Sequence, residues 1–126
     1  MALTLTDREA DVMQVLWDHG PSGVAKVREL LQDPLARNTV LTMLRILEEK
    51  SFVRHEVIGR SHRYFAVVRE QTARKNAVRH LIGKMFRGST ELLCAHLVSD
   101  ETLSAMDIEH LREFINKSGR KVGDKR

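Results

Sequence analysis

Residues 36–50 read ARNTVLTMLRILEEK, and the rest of the chain is organised around this stretch. At about 100° per residue, Val40, Met43, Leu44 and Leu47 form one apolar stripe, as a half-buried helix requires. The opposite face carries Asn38, Thr42, Arg45 and Glu49, with Leu41 at its edge. A helix face that meets only water ordinarily carries Glu, Lys and Gln, which favour the helix. Asn and Thr over the first turns, followed by Arg, weaken the helix but place short donors and acceptors along its N-terminal half. Such side chains, beside the positive end of a helix dipole, suit base edges flanked by phosphates. Taken alone, the window also fits a half-buried helix with a polar back. Its neighbours decide.

Charge is distributed unevenly around this window. Residues 1–35 hold three basic and six acidic side chains, whereas residues 36–69 hold seven basic and three acidic ones. The basic surface therefore begins where the candidate recognition helix begins, which is a patch and not a general bias. With 126 residues the chain is long enough for one well-packed domain plus a small appendage. The single cysteine, Cys94, excludes an intrachain disulfide framework and a paired-cysteine metal knuckle. No stretch approaches the roughly 18 apolar residues of a membrane span, and the N-terminus lacks a signal-peptide pattern. A soluble, cytoplasmic protein without membrane insertion is expected.

Upstream, residues 6–9 (TDRE) form a capping box that starts a helix burying Val12, Met13, Leu16 and Trp17. Gly20 and Pro21 stop it. Ser22 can cap a second, shorter helix with Val24, Val27, Leu30 and Leu31 inward, ended by Asp33 and Pro34. Downstream of Ser51 the period changes from helical to alternating, and residues 52–57 and 63–67 read as two strands. Residues 58–62 join them, with Gly59 providing the turn. Three helices followed by a hairpin with a basic tip is a winged helix-turn-helix. The tip offers Arg60, His62 and Arg63 where a wing meets the phosphate backbone. Base discrimination is expected from Asn38, Thr42 and Arg45, and a phosphate contact from Thr39.

From Glu70 the chain is helical again. Ala77, Val78, Leu81, Ile82, Met85 and Phe86 recur as adjacent pairs every four residues, a broad apolar face on a long helix. Gly88 breaks it, and Ser89 opens a second segment with Leu92, Leu93, His96 and Leu97 on one side. Ser104 and Asp107 cap a third, carrying Ile108, Leu111, Phe114 and Ile115. Three short helices cannot cover so much apolar surface by themselves. A second copy of the chain is expected to cover it, through Val78, Leu81, Ile82, Met85, Phe86, Leu92, Leu93, Leu111 and Phe114. The fold class expected is mostly α with a small β-hairpin. Residues 1–69 form a winged-helix DNA-binding domain, residues 70–117 a helical dimerisation region, and residues 118–126 a basic, disordered tail.

These segments resemble the penicillinase-repressor (BlaI/MecI) family of winged-helix transcriptional repressors, over nearly the whole chain. LTDREADVMQVLWDHGP is similar to the family's opening helix, and NTVLTMLRILEEKSFV to its recognition segment. GRSHRYFAV looks like its wing, and FRGSTELLCAHLVSDETLS like the joint in its dimerisation region. The resemblance implies a homodimer binding a palindromic, double-stranded operator through Thr39, Thr42 and their neighbours; Arg37, Asn38, Leu41 and Arg45 are expected to share the contact, and no cofactor is expected. It also implies release when a membrane-bound sensor metalloprotease cuts near His96 and Leu97. Three positions depart from the family pattern. Ile46 stands where a basic residue is usual, Leu41 where a basic or polar one is, and Ala36 where a capping Ser or Thr is frequent. The copper-responsive relatives carry paired Cys-x-Cys motifs, which a chain with one cysteine cannot have.

Other function classes fit less well. An enzyme lacks its parts: there is no Gly-rich phosphate loop, no helix with paired metal ligands and no nucleophile beside a base. Six histidines and Cys94 invite a metal- or ligand-responsive regulator, yet their spacing is not that of a zinc site. A winged helix that binds protein instead of DNA is the remaining alternative, and steep salt dependence of duplex binding separates the two.

Overall fold

A computed structural model describes residues 4–99 and 103–124, with residues 119–124 in backbone only. Helix α1 (Asp7–His19) starts at the expected capping box. The Glu9 amide donates to Thr6 Oγ1 at 3.2 Å, and the Thr6 amide donates to Glu9 Oε1 at 2.9 Å. The helix ends at Gly20, whose φ of 77° is ordinary for glycine. Helix α2 (Val24–Leu30) is capped by Gly23 and not by Ser22. Ser22 is buried and bridges to Tyr64, each amide donating to the other's carbonyl at 2.8 Å. A residue that sequence alone places at a helix cap is here bridged to strand residue Tyr64 by an isolated pair of backbone bonds.

Helix α3 (Arg37–Glu49) begins at Ala36 with no side-chain cap. Its C-terminal end is fixed more firmly. The Phe52 amide donates to the Leu47 carbonyl and the Ser51 amide to that of Glu48, at 2.9 and 3.0 Å. With Ser51 at φ 67° between them, this is a Schellman motif, and Leu47 and Phe52 meet in the core as that motif favours.

Strands β1 (Val53–Ile58) and β2 (Ser61–Ala66) pair antiparallel, Val53 opposite Ala66 and Ile58 opposite Ser61. The connection is two residues, Gly59 and Arg60, where the alternation had allowed five. Pairing thus runs closer to the tip than expected. The core beneath is built from Val12, Met13 and Leu16 of α1, Val27 of α2, Val40, Leu44 and Leu47 of α3, and Val53 and Tyr64 of the hairpin. Trp17 is only half-buried, and its indole Nε1 donates to the Val68 carbonyl at 2.9 Å, tying the chain after β2 to α1.

Three further helices follow: α4 (Glu70–Met85), α5 (Thr90–Ser99) and α6 (Ala105–Asp124). Ser89 caps α5, its hydroxyl accepting from the Leu92 amide. Ser104 and Asp107 make the second capping box, at 3.0 and 3.1 Å. The backbone of α6 is helical to Asp124, through most of the tail for which disorder was expected. The described residues fall into two compact units that divide between Leu81 and Ile82, inside α4 and not at its start. The start of α4 belongs with the winged helix because Glu70, Ala73, Arg74 and Ala77 share a groove with Trp17 and Phe52.

Candidate nucleic-acid interface

The core stripe of α3 leaves Arg37, Asn38, Thr39, Thr42 and Arg45 exposed, with Leu41 half-buried against the core at the edge. Asn38 and Thr42 lie one turn apart at the centre of the exposed face. Arg37, Leu41 and Arg45 lie on the flank towards the wing, at i, i+4 and i+8. Thr39 lies on the other flank beside Ile46.

The strand register sorts the three side chains of the wing tip, which sequence proximity had grouped. His55, Val57, His62 and Tyr64 share the face of the hairpin that carries buried Val53, because successive strand residues alternate. Arg54, Glu56 and Arg63 occupy the other face. Arg63 faces Glu56 across the ladder and donates to its Oε1 at 2.8 Å, so a carboxylate already balances its charge. His62 stacks on His55 with ring centroids 4.8 Å apart and planes at 16°. His55 in turn sets Nδ1 2.8 Å from both carboxylate oxygens of Glu48 at the end of α3. Burial pushes the Tyr64 phenol above its ordinary pKa, with Glu48 adding to the rise and Arg45 opposing it.

Between these elements lies a cleft of about 370 Å³, lined by residues 23–25, by Arg37, Leu41 and Arg45, and by Arg60, Ser61 and His62. Among the described residues no ion pair joins Arg37, Arg45 or Arg60 to a carboxylate. Elsewhere on the same domain Lys50, His55 and Arg63 each have an acidic partner at 2.8 Å. Three uncompensated guanidinium groups around one opening, beside a polar helix face, suit a chain of phosphates and its bases. The cleft brings together residues from both sequence groups and adds Ser61 of the wing segment and Gly23, which no motif had marked.

The apolar side chains assigned to self-association lie open. Val78, Leu81, Met85, Leu92, Leu111 and Phe114 are exposed, Met85 and Phe114 by 70% and 68%, and Ile82, Phe86 and Leu93 are half-buried. His96 and Leu97 stand inside α5, where the His96 ring meets Phe86 edge-on at 5.9 Å. Cys94 is exposed. Among the described residues no group of three His, Cys, Asp or Glu side chains is placed to hold a metal ion, and no helix is long and apolar enough to cross a membrane.

The chain is similar to known proteins along most of its length. The sequence profile of the penicillinase repressor family matches residues 5–117. The methicillin resistance regulatory protein MecI of Staphylococcus aureus strain N315 is 24% identical over 115 residues, covering 90% of this chain and 94% of that protein. An uncharacterized 16.5 kDa protein of Latilactobacillus sakei is 31% identical over 127 residues, covering 96% of this chain and 84% of its own. Among solved structures, a MarR family protein from Bacillus stearothermophilus aligns with TM-score 0.49 at 18% identity, over 96% of this chain and 77% of that one. The match of the family profile over most of the chain makes this protein a member of the penicillinase repressor family, and thereby a transcriptional regulator with a winged-helix fold.

Proposed function

We propose that the protein is a sequence-specific repressor that binds a palindromic operator as a homodimer and is released by proteolysis. One observation carries the reading: the exposed Asn38 and Thr42 of α3 lie beside three arginines, Arg37, Arg45 and Arg60, that have no carboxylate partner among the described residues. With α3 in the major groove, Asn38 and Thr42 reach base edges, and Leu41 is placed for a thymine methyl. Thr39 and the wing meet phosphates.

Dimerisation supplies the second half-site. The open apolar side chains of α4, α5 and α6 give each copy a surface to offer the same surface of another, an isologous contact. Release by a membrane-bound sensor metalloprotease is the third part of the proposal. The bond between His96 and Leu97 lies within α5, so cleavage there needs local opening of the helix. A cut at that point separates Leu92 and Leu93 from Leu111 and Phe114 and weakens self-association. Selecting duplexes from a random pool, followed by sedimentation of free and bound protein, tests the proposal. A monomer at micromolar concentration, or a pool that yields no two-fold symmetric site, overturns it.

A further inference from the structure

We infer that the groove between α1 and the start of α4 is a binding site for a small, uncharged aromatic molecule that carries one hydrogen-bonding group. The groove shares no residue with the cleft at α3 and the wing, and the inference stands apart from the reading of that surface.

The groove encloses about 490 Å³. Close-packed protein leaves few voids larger than a water molecule, whereas small-molecule sites hold roughly 300–1,000 Å³. The volume stays open because of what the two helices place along it. Ala10, Gln14 and Trp17 of α1 stand at i, i+4 and i+7, and Glu70, Ala73, Arg74 and Ala77 of α4 at i, i+3, i+4 and i+7. Alanine at positions 10, 73 and 77 leaves the space unfilled, and Trp17 and Phe52 give it aromatic walls. Both rings are held before anything binds. The Trp17 indole Nε1 donates to the Val68 carbonyl at 2.9 Å, and the carbonyl of buried Phe52 accepts from the Val67 amide at 2.8 Å. A planar ring in the groove therefore meets two aromatic side chains that it does not have to order.

Charge sets the class of the ligand. Among the described residues, Glu70 and Arg74 are the carboxylate and the guanidinium that line the groove, and they pair with each other at 2.8 Å. An ionic ligand thus finds no unpaired opposite charge and gives up its hydration in a largely apolar setting, which a neutral ligand does not. The pair engages one nitrogen of Arg74 and one oxygen of Glu70. Donors of the guanidinium and an acceptor of the carboxylate remain for a single hydroxyl or carbonyl group on the ligand. A helix of another chain is a poor fit. One turn, about 5.4 Å long and 10–12 Å across, already takes up about the whole volume.

Trp17 is the only tryptophan, so its indole N–H gives a single cross-peak in a proton–nitrogen correlation spectrum and reads the groove directly. Full-length protein is titrated with naphthylmethanol, with naphthoate (the same ring bearing a carboxylate) and with decanol. The titrations are run at about pH 8, above the ordinary histidine range, because His80 also lines the groove. Naphthylmethanol is expected to shift the peak saturably, with a dissociation constant on the order of 10–100 μM. Naphthoate and decanol are expected to bind at least about ten-fold more weakly. Ala73→Leu and, independently, Ala77→Leu fill the groove and lower the naphthylmethanol affinity at least about ten-fold, with melting temperatures no lower than wild type. Glu70→Gln leaves Arg74 unpaired and reverses the order of naphthylmethanol and naphthoate. No saturable shift, equal binding of naphthoate or decanol, wild-type affinity in either folded filled variant, or an unchanged order in Glu70→Gln overturns the site. Trp17 emission that changes on dilution of the free protein assigns the groove to a second copy of the chain and overturns it as well.

Discussion

Glu9 does two jobs with one carboxylate. It completes the capping box of α1, and it accepts from Lys50 Nζ at 2.8 and 3.0 Å, which ties the end of α3 to the start of α1. Burial by itself raises the pKa of such a group. The Lys50 ammonium and the Thr6 amide and hydroxyl outweigh burial, so the carboxyl stays below its ordinary value of 4.5. A lowered folded-state pKa means that the unfolded chain takes up the proton first. The stability contributed is complete above the ordinary value and is lost as pH falls through the folded one. Glu9→Gln leaves the Lys50 ammonium partly buried without its partner and is expected to cost about 1–3 kcal/mol at neutral pH. Urea unfolding at neutral pH and at about pH 3 checks both statements: the gap between wild type and variant should narrow in acid.

At the scale of the element, α3 is weakly started and firmly stopped. Ala36 supplies no cap, while the Schellman motif at the other end requires a left-handed residue, which is Ser51 at φ 67°. A side chain in that conformation is strained, and the relief on removing it exceeds the extra backbone entropy of glycine in the unfolded chain. Ser51→Gly is therefore expected to stabilise the domain by about 0.5–1 kcal/mol, read as a rise in melting temperature with DNA affinity unchanged.

In the proposed function, the faces of α3 and the wing divide the work of recognition between them. Removing a short polar side chain from the centre of the α3 face, in Asn38→Ala or Thr42→Ala, should cost about 1–3 kcal/mol on the selected operator and almost nothing on random duplex. Arg63→Ala should weaken every sequence alike, and less than Arg60→Ala does, because Glu56 already holds the Arg63 guanidinium. Binding of each variant to both duplexes separates these effects. An Arg63→Ala loss as large as that of Arg60→Ala would show that the Glu56 pair opens on DNA.

At the scale of the whole molecule, the winged helix has a buried apolar core and the described part of the C-terminal helices has none. No described residue of α4, α5 or α6 is buried in the single chain, although α6 alone carries Met106, Leu111, Phe114 and Ile115 in the open. The compact N-terminal unit extends to Leu81, which sets where a truncation should be made. A chain ending after Leu81 is expected to stay folded and monomeric and to lose at least 100-fold in operator affinity, because each half-site is then held alone. Sedimentation together with anisotropy on the operator measures this. A truncated protein that still sediments as a dimer would move the interface into the winged helix.

The sequence by itself determined the order of elements. Helical periodicity, the Thr6/Glu9 and Ser104/Asp107 boxes and the switch to alternation after Ser51 are local signals, and local hydrogen bonds and side-chain spacing are what they encode. The exposed face of α3 was legible for the same reason, since period 3.6 assigns every side chain a direction once the apolar stripe is known. What only the tertiary structure decided depends on residues far apart in the chain. Ser22 left its cap position because Tyr64 offered it a pair of backbone bonds. Arg63 and His62 went to opposite faces because the register set Glu56 against Arg63 and Val57 against His62. The cleft of Arg37, Arg45 and Arg60 exists only where the start of α2, the flank of α3 and the wing turn converge. No window of sequence contains such a meeting, because it is made by the packing of the core beneath it.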